Sequence, residues 1–204
     1  MDIKPLCTSH HTPLRTSRAI SASTMELPKE VWLEIVSYLD YFDLKTIMGV
    51  SKAFKSYTEL PACQKTMFRS KAVIPDGDTI DLAVLRLHPA FGMLSYECAS
   101  DIENVYLNDS NGDWMPLTKT SAAEEYATDP PVAFMRLQIF SSTPVQVTDK
   151  TGITVVQVMK ALCRFFTKND SFDVTGGRTG WQEWDGTKLD RKGRLLLRAT
   201  GFDS

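Results

Sequence analysis

The sequence has no apolar run long enough to cross a membrane. A transmembrane helix needs about 20 consecutive apolar residues, and polar or charged residues interrupt every apolar stretch well before that length. The sequence also lacks an excess of charge of either sign, with 23 basic and 25 acidic residues and a net charge of −2. This balance gives no reason to expect binding to a membrane surface or to nucleic acid.

Cysteine is scarce, with four residues in the chain. Cys7, Cys63, Cys98 and Cys163 are scattered, and no two of them have the spacing of metal ligands. The pattern excludes a disulfide scaffold and predicts reduced thiols in a protein of the cytoplasm or nucleus. A hydrophobic content of 43% is ample for a globular core, and 204 residues allow one or two domains.

Recognisable catalytic and cofactor motifs are missing as well. His88 has no acid or nucleophile at a recognisable spacing and is predicted to be structural. The glycine-rich segment 176–180 lacks the Gly-Lys-Ser/Thr ending of a phosphate-binding loop. The turn at 76–78 is too short for a calcium loop. We therefore expect a non-enzymatic protein with no catalytic residue, cofactor or metal.

Residues 1–24 differ in composition from the rest of the chain. They contain Lys4, Arg15 and Arg18 against a single acid, Asp2, with many Ser and Thr residues and no apolar core of a secretory signal. This composition predicts a disordered leader. The low acid content with arginines also resembles a mitochondrial transit peptide. Met25, directly before an apolar helical segment, is a candidate alternative start.

The segment from residue 26 to residue 54 predicts a compact group of helices. Apolar residues recur at every fourth position from Leu27 onward, and this stripe indicates an amphipathic first helix. Further apolar residues lie off this stripe, so that the helix is apolar on more than one side. The stripe comprises Leu27, Val31, Ile35 and Leu39, is widened by Tyr38, and is flanked by Trp32, Leu33 and Val36.

Two shorter helices are predicted to follow. Residues 40–42 predict a turn, and Asp43 is a suitable N-cap for a second helix beginning at Leu44. Ser51 can cap a third helix that carries Phe54. A bundle of roughly 35–40 residues is near the size at which a domain needs help to fold. Its leftover apolar surface predicts an interface, either with the rest of the chain or with a partner.

This segment resembles the F-box family. The residues that carry the resemblance are Leu27-Pro28, Glu30-Val31, Ile35, Tyr38-Leu39, Asp43-Leu44 and Val50-Ser51-Lys52-Ala53-Phe54. The family often has a Leu-Trp shortly afterwards, and this chain has only Leu60-Pro61 and Phe68 there. The resemblance implies a three-helix module that docks on the adaptor subunit of a Skp–cullin–F-box ubiquitin ligase. The residues it implies as forming or supporting that contact are Leu27, Pro28, Val31, Ile35, Leu39, Leu44 and Val50.

The rest of the chain predicts a small α+β domain with a mostly antiparallel sheet and one main helix. Strands are predicted at 134–140, 145–147 and 195–197, with one or two more within 94–107. The main helix is predicted over 155–166, because Thr154 and Gln157 form a capping box and Ile153 can staple to Val158. The stretch 80–87 is compatible with a strand or a short helix. The predicted organisation is a leader (1–24), F-box (25–60), connector (61–75) and α+β domain (76–204).

This second half also resembles an uncharacterised family of small fungal domains, over about residues 85–200. The motifs that carry it are Leu87-His88-Pro89-Ala90, Ala127-Thr128-Asp129-Pro130-Pro131 and Gly152-Ile153-Thr154-Val155 with Val158-Met159. The resemblance implies a fold and a fungal source, and it implies no chemistry.

Together these patterns predict a substrate-recruiting adaptor whose second domain binds an unknown protein. Trp114, Trp181 and Trp184 are its candidate substrate-binding residues, because exposed Trp is enriched at binding hot spots. An alternative is a single α+β domain that binds a small molecule or nucleic acid through its C-terminal region, where basic residues lie near Trp181 and Trp184. A charged edge with Trp covering the core is the more ordinary interpretation. The basic residues concerned are Arg191, Lys192, Arg194 and Arg198.

Overall fold

A computed structural model of the chain describes residues 27–98, 101–108, 112–139, 142–169 and 180–203. The predicted leader, Met25 and the loop residues 176–179 lie outside these ranges. The side chain of Trp181 also lies outside the description, although its backbone is part of a strand.

Four short helices form the N-terminal part of the described chain. Prolines precede or begin two of them, as expected where a missing N–H costs nothing: Pro28 precedes the first, and Pro61 begins the fourth. The fourth helix lies within the predicted connector and packs against the first. The helices are α1 (Lys29–Ser37), α2 (Tyr41–Val50), α3 (Lys52–Tyr57) and α4 (Pro61–Thr66).

The predicted start of the second helix is wrong. Asp40, not Asp43, is the N-cap of α2, and its Oδ1 accepts a hydrogen bond from the backbone N–H of Asp43 at 2.9 Å. Tyr41 is therefore helical rather than part of a turn, and it is buried. The predicted cap of the third helix is confirmed, because Ser51 Oγ accepts from the Phe54 N–H at 3.2 Å. Asp40 prevails because the earlier start places Tyr41 where its ring can be buried.

The second part of the described chain is built on a seven-stranded sheet, which confirms the α+β prediction. The strand order is β4-β3-β2-β8-β9-β6-β7, and every pair is antiparallel except β6 with β9. β1 and β5 pair separately. The strands are β1 (Arg86–Leu87), β2 (Leu94–Glu97), β3 (Val105–Asn108), β4 (Trp114–Pro116), β5 (Thr128–Asp129), β6 (Phe134–Ile139), β7 (Val145–Thr148), β8 (Gly180–Leu189) and β9 (Leu195–Asp203).

Most predicted strands are found near their predicted positions. β6 and β7 confirm the strands at 134–140 and 145–147, and the region 94–107 contains two strands, β2 and β3. The stretch 80–87 is mainly a turn that ends in the two-residue β1. β9 extends well beyond the predicted 195–197 and lies between β8 and β6.

The predicted main helix is confirmed as α5 (Val155–Lys168). Its capping box is present, with Gln157 Oε1 accepting from the Thr154 N–H at 2.9 Å. Ile153 and Val158 are both fully buried. Each large apolar side chain that α5 buries contributes roughly 1.5–3 kcal/mol to folding. No helix in the described ranges is both long and apolar enough to span a bilayer.

We expect Gly152→Ala to destabilise the fold by roughly 2–3 kcal/mol. Gly152 has φ +104°, and an added Cβ would lie 2.6 Å from Tyr126 Cε1 and 3.1 Å from Pro131 Cβ. Gly49→Ala is the matched control, because Gly49 lies in α2 with nothing within 4 Å of an added Cβ. That change is expected to stabilise the chain by up to about 1 kcal/mol. Urea unfolding of both variants measures the difference, and equal effects would contradict the expected strain.

Candidate protein-docking surface

One side of α1 presents a row of exposed apolar side chains. Leu27, Val31 and Ile35 follow one another at intervals of four residues and are 36, 38 and 39% exposed. Tyr38 continues the row and is 82% exposed. Val31, Ile35 and the C-cap Tyr38 are three and four residues apart and lie on the same face of α1, whereas Leu27 comes directly before the N-cap Pro28. We call these four residues the α1 face.

The opposite side of α1 packs into the helical core. Val36 is buried and forms a small cluster with Leu44, Cys63 and Met67. Trp32 is half-buried and lies edge-to-face on Phe54, with ring centres 4.9 Å apart. The helix is thus apolar on two sides, as predicted. The four-residue stripe is largely its open side, and the core side is centred on Val36.

The residues implied by the F-box resemblance occupy different depths. Five of them are exposed, namely Leu27, Pro28, Val31, Ile35 and Val50. Leu39 is half-buried against the helical cluster, and Leu44 lies inside it with 1% exposure. Leu44 can therefore support the surface but cannot contact a partner.

Tyr38 is more exposed than Leu27, Val31, Ile35 or Val50, although it is absent from the contact residues that the F-box resemblance implies. Its position three residues after Ile35 was the signal that could have placed it in the site. An exposed row of this kind is typical of a protein-interaction site when polar residues surround it. Glu30 and Glu34, both exposed, provide such residues on the same helix.

A buried carboxylate attaches the helices to the α+β domain. Glu125 is 3% exposed, and its Oε1 accepts from Lys45 Nζ at 2.5 Å and from Arg69 Nε at 2.8 Å. Its Oε2 accepts from the Tyr41 hydroxyl at 2.7 Å. Tyr41 and Lys45 lie in α2, and Arg69 follows α4. We call Glu125, these three donors and His88 the Glu125 cluster.

His88 is the remaining member of the cluster, and its hydrogen bonds define its tautomer. Its Nδ1 accepts from the Ala90 N–H at 3.0 Å, so the proton is on Nε2, which donates to Glu125 Oε2 at 3.3 Å. Burial lowers the pKa of His88 and outweighs the opposing effect of Glu125. The ring is buried, with its centre 4.7 Å from those of Tyr41 and Phe68. A side chain with no exposed surface is suited to a structural role.

The charge on Glu125 is stabilised by its donors. Burial alone would raise its pKa, but the hydrogen bond from His88 and the charge of Lys45 prevail and lower the pKa to about 2. Burial and the nearby carboxylate raise the pKa of Tyr41, which therefore stays a neutral donor. The cluster contains one carboxylate, two cations and two neutral donors, and all of them meet where the two parts of the chain join.

The Trp residues predicted to bind substrate do not form one described patch. Trp114 is 54% exposed on β4, at one end of the described sheet. Trp184 is half-buried on β8 and lies edge-to-face on Phe91, at 5.9 Å between ring centres. β3 and β2 lie between these strands, which corresponds to a separation of about 14 Å at the usual strand spacing. Trp181 has no described side chain.

The basic residues of the alternative site also have different surroundings. Arg194 Nε lies 3.0 Å from Asp76 Oδ1, and its guanidinium lies 4.3 Å from the centre of the Phe134 ring. Arg191 and Lys192 are exposed in the turn between β8 and β9, and Arg198 is half-buried in β9. Binding of nucleic acid or of a small molecule through this cluster stays a prediction.

The described cysteines are buried and unreactive. Cys63, Cys98 and Cys163 are free thiols. Burial raises the pKa of Cys98 to about 12 and that of Cys163 to about 11, so both remain protonated. Within the described ranges, no three His, Cys, Asp or Glu side chains are grouped so that they could bind a metal ion.

We expect Glu125→Gln to destabilise the chain by roughly 3 kcal/mol, because it leaves Lys45 and Arg69 partly buried without a counter-charge. Glu124→Gln is the matched control, since Glu124 is the exposed neighbour of Glu125. The control should change stability by no more than about 0.5 kcal/mol. Urea unfolding at pH 7 measures both effects. A loss for Glu125→Gln no larger than for the control would show that the cluster contributes little.

The pH dependence of stability should have two steps. His88 has a pKa below its ordinary value of 6.5, so the unfolded chain takes up a proton that the folded chain does not, and stability falls as the pH drops below about 6.5. Glu125, with a pKa of about 2 against 4.5, adds a second loss as the pH falls from about 4.5 toward 2.

His88→Gln tests the first step, because its amide keeps a donor for Glu125 but does not titrate. Unfolding free energies measured from pH 7.5 to pH 3 should lose the first step in this variant and keep the second. An unchanged slope around pH 6 would assign that step to other groups.

Comparison with known protein families gives one match. Residues 25–62 match the F-box domain model, a span that covers α1 to α3, the α1 face and the start of α4. The match covers less than a fifth of the chain. The searches of curated proteins and of solved structures returned no match. The F-box resemblance of the N-terminal helices is thus confirmed by an F-box domain match at residues 25–62.

Proposed function

We propose that this protein is a non-catalytic, substrate-recruiting adaptor of a Skp–cullin–F-box ubiquitin ligase. The observation that carries the proposal is the coincidence of the F-box match with the exposed α1 face. F-box domains are the modules that bind the adaptor subunit of these ligases. A helix that keeps a second apolar side open is well suited to such a contact.

Binding would bury the α1 face against the adaptor subunit. Removing apolar surface from water contributes about 25 cal/mol per Å², and part of this gain offsets the loss of translational and rotational freedom. Leu27, Val31 and Ile35 would supply the contact together with Pro28 and Val50. Leu39 and Leu44 would support it from within.

The α+β domain would hold the protein substrate. In this role the chain breaks and forms no bond itself. It raises the effective concentration of the substrate near a ubiquitin-conjugating enzyme that the ligase carries. The Glu125 cluster supports this arrangement, because it ties α2 to the α+β domain through buried hydrogen bonds. We place this activity in the cytoplasm or nucleus.

We expect Ile35→Lys to raise the dissociation constant for the purified adaptor subunit at least tenfold, since a charge would be buried at the centre of the α1 face. Val84→Lys is the matched control, because Val84 is an apolar residue of the α+β domain that is 59% exposed. Biolayer interferometry measures binding, and melting temperatures check that both variants fold. If the wild type does not bind, or if Ile35→Lys binds as tightly as the control, the proposal fails.

A further inference from the structure

A pocket of about 590 Å³ opens at one end of β6 and β7. Its walls are mainly apolar and come from Val73, Pro75, Ala133 and Phe134, and none of these residues was singled out as a candidate site residue. Its volume lies within the range of roughly 300–1,000 Å³ that is usual for ligand sites. We call it the β6–β7 pocket.

The walls of this pocket are held by backbone and side-chain contacts. Ile74, between the two wall residues of the connector, donates its N–H to the Pro131 carbonyl at 2.7 Å and accepts from the Ala133 N–H at 2.9 Å. Phe134 is buried beneath the guanidinium of Arg194. Arg194 forms an ion pair with Asp76, with 3.0 Å between Arg194 Nε and Asp76 Oδ1. A cavity held in this way needs little reordering when it binds a ligand.

The charged side chains at the pocket rim differ in the ion pairs and hydrogen bonds that they make. Asp76 is paired with Arg194. Asp149 is committed to its own neighbours, because Oδ1 accepts from the Thr151 N–H at 2.8 Å and Oδ2 accepts from Gln157 Nε2 at 2.7 Å. Lys150 is exposed and has no salt bridge to any described residue. Lys150 is therefore the cation of this rim that has no ion pair among the described residues, and it lies beside Asp149, which keeps its negative charge.

The pocket adjoins one end strand of the described sheet. β7 pairs with β6 alone among the described strands, and its last residue, Thr148, lines the pocket. The outer edge of such a strand offers backbone N–H and C=O groups to an added extended chain. A peptide lying along β7 would bring one of its side chains to the pocket. This geometry favours a protein segment over a small molecule.

We propose that the β6–β7 pocket binds an extended segment of a protein substrate that carries an aromatic side chain next to acidic residues. The aromatic side chain enters the apolar pocket, and an adjacent carboxylate pairs with Lys150. This inference rests on the proposed function and names the class of substrate segment that the α+β domain recruits. The pocket lies close to the helical part in sequence, because its wall begins four residues after Arg69 of the Glu125 cluster.

The test uses the full chain and a fluorescein-labelled peptide, Gly-Ser-Glu-Phe-Glu-Ser-Gly, with binding followed by fluorescence polarisation. Two matched peptides replace both Glu residues by Gln or the Phe by Ser. We expect each replacement to weaken binding at least fivefold. Lys150→Glu should weaken binding of the acidic peptide about five- to tenfold, and Lys150→Gln should have a smaller effect. Lys168→Glu, an exposed charge reversal at the far end of α5, is the control and should leave binding within about twofold.

Four results would overturn the proposal. Three of them are no binding of the acidic peptide with the protein at about 1 mM, equal binding of the three peptides, and equal effects of Lys150→Glu and Lys168→Glu. Phenylacetate that competes as tightly as the peptide would show that a small carboxylic acid suffices, which overturns the assignment to a protein segment. Adaptor binding is measured on the same preparation. If the chain binds the peptide but not the adaptor subunit, only the proposed function is contradicted. If it binds the adaptor subunit but not the peptide, only the pocket assignment is contradicted.

Discussion

The relation between the two parts of this protein depends on one buried carboxylate. A charge removed from water is strongly destabilising unless well-placed donors surround it, and Glu125 obtains these donors from α2, from the segment after α4 and from His88. The segments that carry them must therefore assemble together. The domain boundaries predicted from the sequence, with a separate connector at 61–75, pass directly through this cluster. The helical part and the α+β part are joined by this buried polar contact.

Structural features that depend on residues close together in the sequence could be predicted, and contacts between residues far apart in the sequence could not. The cap at Ser51 and the capping box of Thr154 and Gln157 involve residues three apart, and both are present. The start of α2 was missed because Asp40 and Asp43 are equally good caps by composition, and only the burial of Tyr41 separates them. The partners of Glu125 stand 37 to 84 residues away along the chain. No local pattern distinguishes this glutamate from the exposed Glu124 beside it.

The helical part also shows why periodicity alone could not orient α1. The stripe of period four and the residues beside it are about equally apolar, so either could have faced the core. In the structure the side of Val36 faces the core, where it packs with Leu44, Cys63 and Met67 in a small cluster. That cluster is too small to cover both sides of the helix. The open side is therefore a consequence of the bundle's size.

The cluster around Glu125 also bears on how this protein can be divided for laboratory work. A fragment that starts near residue 70 would lose Tyr41, Lys45 and Arg69, and would keep a carboxylate with only His88 as a donor. It would also lose Phe68 and so uncover the ring of His88, which packs against those of Tyr41 and Phe68. A fragment with such an exposed surface would bind proteins non-specifically and give false positives in a two-hybrid or pull-down screen. Searches for binding partners should therefore use bait that retains both parts.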